Sequence, residues 1–253
     1  MKIFKKIKSK FELLGILGTL KFIFKSKIFN VKNTQYKRML NRNSRSARFH
    51  EIYKNNLWGS KESGSGDGSE LAYTEGLRTW LIDVCKENHV KQFVDAACGD
   101  FNWMREVLPH LEMDYKGFDI VESVIQKNNT NFSTTNISFE VADICKDLLP
   151  SCDILMVRDC LFHLSFDDIN QTLKNISRVD YKFLITTSHM TDVDYVNSDI
   201  KSGDFRWLDI SKWPLNFEPK YVFDRFSEPP QGGMHRDIIM YRKEHVPTEM
   251  MQK

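Results

Sequence analysis

Proton chemistry in this chain points first to a cluster behind an apolar run: Arg158, Asp159 and, four positions after the acid, His163 follow Asp-Ile-Leu-Met-Val. A histidine with an unperturbed pKa of about 6.5 accepts a proton in a transition state at neutral pH. His163 is therefore the first candidate general base, with His189 second and His235 third. Asp159 is a candidate to orient that histidine or to hold a substrate, and Arg158 to contact a cofactor or a phosphate. A single histidine ahead of a helix also reads as a capped or core residue. The base assignment rests on its place at a strand end, where open α/β sheets gather their ligands.

Two more acids close two other apolar runs. Asp95 follows Phe93 and Val94, and Asp119, twenty residues after Gly99, follows the run 115–118. A carboxylate at that separation accepts hydrogen bonds from both hydroxyls of a ribose, as in dinucleotide sites. Ala96, Ala97 and Gly99 are small, which lets backbone approach a ligand closely. Residues 91–106 thus read as strand, tight turn and helix start, with the helix beginning at Trp103 and running through 108.

The elements that must position these groups alternate between strand and helix. A helix is expected over 71–87, with Leu77, Trp80, Leu81 and Val84 on one face. Strands are expected at 115–118, 138–141, 153–157 and 183–187, and a helix at 122–128. Ser165 and Asp168 form a capping box for a helix whose Ile169, Leu173 and Ile176 face the sheet. Two last strands, 220–226 and 237–241, are joined through Pro229, Pro230, Gly232 and Gly233 as a hairpin. Asp143, after the strand at 138–141, reads either as a turn cap or as a ligand contact. The Gly- and Ser-rich segment 58–70 reads as a linker or as a lid over the site. Residues 190–219 are too long for a simple connection. They read as a substrate loop, with Asn197, Asp199, Arg206 and Trp207 as contacts, or as a solvated insertion.

A length of 253 residues, 41% hydrophobic and 28% charged, suits one substantial soluble domain with appendages. Cys85, Cys98, Cys145, Cys152 and Cys160 are scattered without a CxxC pair, which argues for reduced thiols and against a disulfide framework or a zinc site. Hard oxygen donors exist at Asp159, Asp192 and Asn197, but no metal-ligand spacing does, so no metal is expected. Residues 1–40 hold ten lysines and Arg38 against Glu12, a charge of +10, which leaves +2 minus +10, or −8, for the rest. The apolar stretch 11–24 is interrupted by Glu12 and Lys21, too short and charged for a transmembrane span, and no signal-peptide cleavage site follows it. Phe11, Leu14, Leu20, Phe22 and Phe24 suit an anionic membrane surface, a subunit or the chain's own domain. Arg42, Arg45 and Arg48 extend the basic character, but no RNA-binding scaffold with interleaved aromatics accompanies them, so no nucleic-acid partner is expected.

The segments VDAACGDFNWM, YKGFDIV, FEVADI and DILMVRDCLFHLS resemble the class I S-adenosylmethionine-dependent methyltransferases, over residues 58–242. Trp58-Gly59-Ser60 and RDCLFHLS resemble bacterial members associated with surface-polysaccharide modification. Ala97 and Phe101 stand where such families usually carry glycine. The resemblance implies a Rossmann-like α/β fold: a mostly parallel seven-stranded sheet, its last strand antiparallel, with helices on both faces. It implies a catalytic domain at 58–243, between a basic N-terminal helical extension at 1–57 and a tail at 244–253. Its cofactor is S-adenosyl-L-methionine, released as S-adenosyl-L-homocysteine. Trp58, Asp95, Ala97, Gly99, Asp119, Ile120, Asp143, Ile144 and Arg158 are the implied contacts, Asp143 taking the adenine amino group and Ile144 packing on the ring. The implied activity is O-methylation, in the cytoplasm, of a small polar acceptor such as a nucleotide-activated heptose for capsular or other surface polysaccharide. The rival readings are a methyltransferase-like scaffold without turnover and an RNA methyltransferase. A dehydrogenase is disfavoured by the missing GxGxxG spacing.

Overall fold

Alternation along the apolar runs builds the sheet. The computed structural model describes residues 33–231 and 234–252; Phe11, Leu14, Leu20, Phe22 and Phe24 of the basic segment, with Gly232 and Gly233, lie outside the described residues. The strands are β1 (Gln92–Ala96), β2 (Asp114–Asp119), β3 (Ile137–Val141), β4 (Cys152–Val157), β5 (Tyr181–His189), β6 (Val222–Gln231) and β7 (Met234–Arg242). They form one seven-stranded sheet in the order β3-β2-β1-β4-β5-β7-β6. β1 to β5 run parallel, while β7 pairs antiparallel with β5 and β6 antiparallel with β7. The expected class I methyltransferase sheet with its antiparallel end is the sheet observed.

Successive side chains of a strand face opposite ways, and the two cores follow that period. Val94, Leu155, Val157 and Leu184 enter one core with Ile169, Leu173 and Ile176 of α5 (Phe166–Ser177). Phe93, Ile154, Met156 and Ile185 enter the other with Leu77, Leu81 and Val84 of α3 (Glu75–Glu87). Strands buried on both faces read as unbroken apolar runs, which is why 153–157 stood out. Residues 33–40 form α1, followed by α2 (Arg45–Lys54); α4 (Glu122–Phe132) follows β2. Ser165 Oγ accepts the Asp168 N–H, so α5 starts at the expected cap.

Two expectations differ. No α-helix begins at Trp103; the chain there makes two 3-10 turns, Met104–Glu106 and Leu108–His110. Pro109 supplies no N–H and its ring crowds the preceding turn, so α-helix cannot continue through it. The helix expected from 71 begins at Glu75, because 71–74 form a turn closed by Thr74 N–H on Glu70 O at 3.0 Å.

The strand order reverses between β1 and β4, and at such a switch point the strand ends leave a crevice for ligands. The cavity lies there.

Candidate active site

Small residues and two acids form the floor, at the ends of β1 and β2. Gly99 has φ +58°, and a Cβ there would collide with Ser65 Oγ. The turn folds back on Asp119: Gly99 N–H donates to Oδ2 at 3.1 Å and Val121 N–H to Oδ1 at 2.9 Å. Burial raises the Asp119 carboxyl to about 6 against these backbone donors. Asp95, inside β1 rather than at its end, is pushed by burial to about 7, although the Tyr115 hydroxyl donates to it at 2.8 Å. Phe101, at the remaining glycine position, keeps left-handed backbone at φ +60°. Its ring turns into the core against Tyr115, Phe132 and Phe139, which leaves the cavity open.

The roof comes from α2 and the segment 58–70. Asp100 draws that segment down: Gly64 N–H donates to its carboxylate at 2.7 Å, and the Ser63 and Ser65 hydroxyls donate at 3.0 Å. Ser65 is tied in turn to the Tyr53 hydroxyl at 2.8 Å. Serines and glycines that read as linker or lid are thus folded over the cavity, where Trp58, Ser65, Asp67 and Gly68 line it. Arg45, Phe49 and Tyr53 of α2 line it too. Arg45 Nη2 donates to Asp143 Oδ2 at 2.7 Å, and its Nη1 pairs with Asp168. Cys145 N–H takes the other Asp143 oxygen at 3.1 Å.

His163 stands where β4 releases the chain. Its Nδ1 lies 2.8 Å from the Asp204 carbonyl oxygen. A carbonyl only accepts, so Nδ1 carries the proton and Nε2 keeps a free lone pair. The ring lies 5.2 Å from Trp58, 4.6 Å from Phe162 and 5.9 Å from Phe205. Burial among these rings lowers its pKa, so the neutral, proton-accepting form holds at neutral pH. Asp159 also lines the cavity but does not orient the histidine. Its carboxylate takes the Thr187 hydroxyl at 2.9 Å and faces Arg158 and Arg236, which keep it ionised against its burial.

Among the other expected contacts, Ala97, Ile120, Ile144 and Arg158 line the cavity. His189 does not: it is 2% exposed, burial lowers its pKa to about 4, and its Nδ1 accepts the Leu208 N–H. His235 is exposed. None of Asn197, Asp199, Arg206 and Trp207 lines the cavity. Asn197 donates to the Asp209 and Trp213 carbonyls, Asp199 accepts from Phe166 N–H at the start of α5, and Arg206 donates to Leu164 O. Their polar groups brace the loop that carries Asp204 to His163. Trp207 is 42% exposed, and Phe205 of this loop lines the cavity instead.

Arg45, Tyr53, Gly68, Asp100 and Arg236 line the cavity although none was singled out as a site residue from the sequence. Arg236 had a signal: on β7 it shares parity with Ile238 and Met240, an arginine on an apolar stripe. For Asp100 the sequence carried none, because its partners lie more than thirty residues away. Among the described residues no helix is long and apolar enough to cross a membrane, and no three His, Cys, Asp or Glu side chains cluster as metal ligands.

Residues 93–180 match the family described as Methyltransferase domain. Two solved structures share the fold. The N-methyltransferase NodS from Bradyrhizobium japonicum WM9, in complex with S-adenosyl-L-homocysteine, aligns at TM-score 0.56 and 12% identity, over 77% of this chain and 97% of that one. Magnesium protoporphyrin IX methyltransferase from Synechocystis PCC 6803, with bound S-adenosylhomocysteine, aligns at TM-score 0.50 and 12% identity, over 88% and 99%. No curated protein sequence matches significantly. The matched segment is thus similar to a methyltransferase domain, and the cavity opens at the ends of its strands.

Proposed function

We propose that the protein is an S-adenosylmethionine-dependent O-methyltransferase acting on a small polar acceptor, a nucleotide-activated sugar such as a heptose used in capsular or other surface polysaccharide. His163 carries this reading: its Nδ1 is held by the Asp204 carbonyl, which leaves Nε2 to take a proton. The acceptor class rests on the resemblance through RDCLFHLS and Trp58-Gly59-Ser60. Reaction in the cytoplasm, with the +10 segment 1–40 touching an anionic membrane or a subunit, belongs to the same reading.

The residues fit the cofactor. Asp95 and Asp119 sit on the floor with pKa values raised by burial. A ligand with a sulfonium, an ammonium and two ribose hydroxyls would bring positive charge and hydrogen-bond donors to them. Bound there, the cofactor supplies an electrophilic methyl group that leaves a neutral thioether behind. His163, held by the Asp204 carbonyl through Nδ1, would take the proton of an acceptor hydroxyl on Nε2.

Affinity for S-adenosylmethionine is expected to follow these carboxyls. Binding favours their ionised forms, so affinity holds above about pH 7.5 and falls at least about tenfold by about pH 5.5. In the free protein the sign is opposite. Folded carboxyls near 7 and 6 hold protons more tightly than unfolded ones, so the stability they contribute at low pH is lost as pH rises toward 7. Titration calorimetry across this range checks the first statement; a flat profile would show that neither acid meets ligand charge.

The acceptor is tested with labelled cofactor against sugar nucleotides, free sugars, phosphorylated small molecules, amines and RNA. Label on a sugar hydroxyl is the expected result. Label confined to an amine or to RNA overturns the reading.

A further inference from the structure

The cavity wall after β4 and at the start of β7 holds a cluster of charged groups. Arg236 Nη1 lies 3.3 Å from Asp159 Oδ2, and Arg158 Nη1 lies 3.2 Å from the same oxygen. Both separations exceed the roughly 2.8 Å of a tight charge-assisted bond, so that oxygen keeps accepting capacity. Thr187 fixes the rest of the acid: its hydroxyl donates to Oδ1 and accepts from Asp159 N–H, each at 2.9 Å. Asp159 is thereby held in left-handed backbone at φ +52°. On the other side Arg236 Nη2 donates to Glu228 at 2.7 Å and to the Tyr73 hydroxyl at 3.1 Å, which leaves Nη1 with a second N–H beyond the one facing Asp159, while Nε is buried without a partner among the described residues.

Gly68, in the roof, faces this pair. Its φ lies outside the left-handed region, so its backbone does not call for glycine. A Cβ there would stand 3.2 Å from both Arg236 Nη2 and Asp159 Oδ2. With glycine there the roof closes down beside the pair without crowding it, and carboxylate and guanidinium line the same cavity as His163.

We propose that this cavity-lining pair is the acceptor subsite and reads a vicinal diol, one hydroxyl donating to Asp159 and its neighbour accepting from Arg236 Nη1. A lone amine satisfies the acid and is repelled by the arginine; a lone carboxylate does the reverse. Adjacent hydroxyls serve both, since each donates and accepts. The acceptor class is therefore a polyhydroxylated ring, held by its diol while another hydroxyl reaches His163 Nε2. Trp58 and Phe205 line the same cavity and offer apolar faces to its C–H groups. This rests on the O-methyltransferase reading for its catalytic meaning, though not for its binding chemistry.

Saturation-transfer NMR on the protein loaded with S-adenosylhomocysteine tests it, with myo-inositol and methyl mannoside as probes and cyclohexanol as control. The ring protons of both diols are expected to receive saturation and cyclohexanol none. Gly68→Ala is expected to weaken diol binding by about tenfold or more. Arg236→Lys, which keeps the charge and loses the fork, is expected to weaken it as well. Equal signals from cyclohexanol and the diols, or diol binding indifferent to Gly68→Ala, overturn the subsite. Diol binding with labelled methyl transferred only to amines keeps the subsite and refutes hydroxyl methylation instead.

Discussion

Alanine at position 163 is expected to lower turnover on the order of a hundredfold or more, the share a positioned general base contributes, while cofactor affinity stays nearly unchanged. The cavity floor is built from Asp95, Gly99 and Asp119 on β1, β2 and their turn, whereas His163 follows β4. Its imidazole is already neutral at physiological pH because burial lowers its pKa. Its Nδ1 is already committed to the Asp204 carbonyl, so no reorganisation precedes proton acceptance. Single-turnover measurements with labelled cofactor, beside calorimetric affinities, separate the two effects. Undiminished turnover in His163→Ala would remove the histidine from the mechanism.

Glu228→Gln is expected to destabilise the fold by about 3 kcal/mol or more, because it leaves buried positive charge without its partner. The Glu228 side chain is 1% exposed and bonds Arg158 Nη2 and Arg236 Nη2, each at 2.7 Å. Both arginines have raised pKa values, held charged by Asp159 and Glu228 against the pull of burial. An amide in that place keeps the shape and loses the charge, so Asp159 alone faces both cations. For a domain of this size the loss lowers Tm by about 6 °C or more, measurable by calorimetry. A shift below about 1 °C would mean that water reaches the cluster and screens it. Arg158 Nη2 also donates to Gly68 O at 2.8 Å, so the variant loosens the roof as well.

What was legible in the chain was whatever repeats locally. Phe93-Val94 and the run 153–157 announced central strands because burial on both faces demands continuous apolar sequence. Asp119, twenty residues beyond Gly99, was legible because one strand-turn-strand unit fixes that distance; the Gly99 N–H does reach its carboxylate. His163 could be singled out because strand ends of an open sheet converge on one crevice. Asn197, Asp199 and Arg206 misled for the opposite reason. A long loop needs polar side chains to satisfy its own buried backbone, and from composition these look the same as substrate contacts.

Order along the chain, then, was enough to settle the sheet, the small-residue turn and the histidine, since each follows from spacing within one or two neighbouring elements. The folded molecule alone settled which groups meet across long separations: Arg45 on Asp143, Asp100 under Ser63 and Ser65, Arg236 against Asp159. Such pairings are set by how helix, roof and last strand close over the crevice. Closure depends on the summed packing of both cores and leaves no period in the sequence to read.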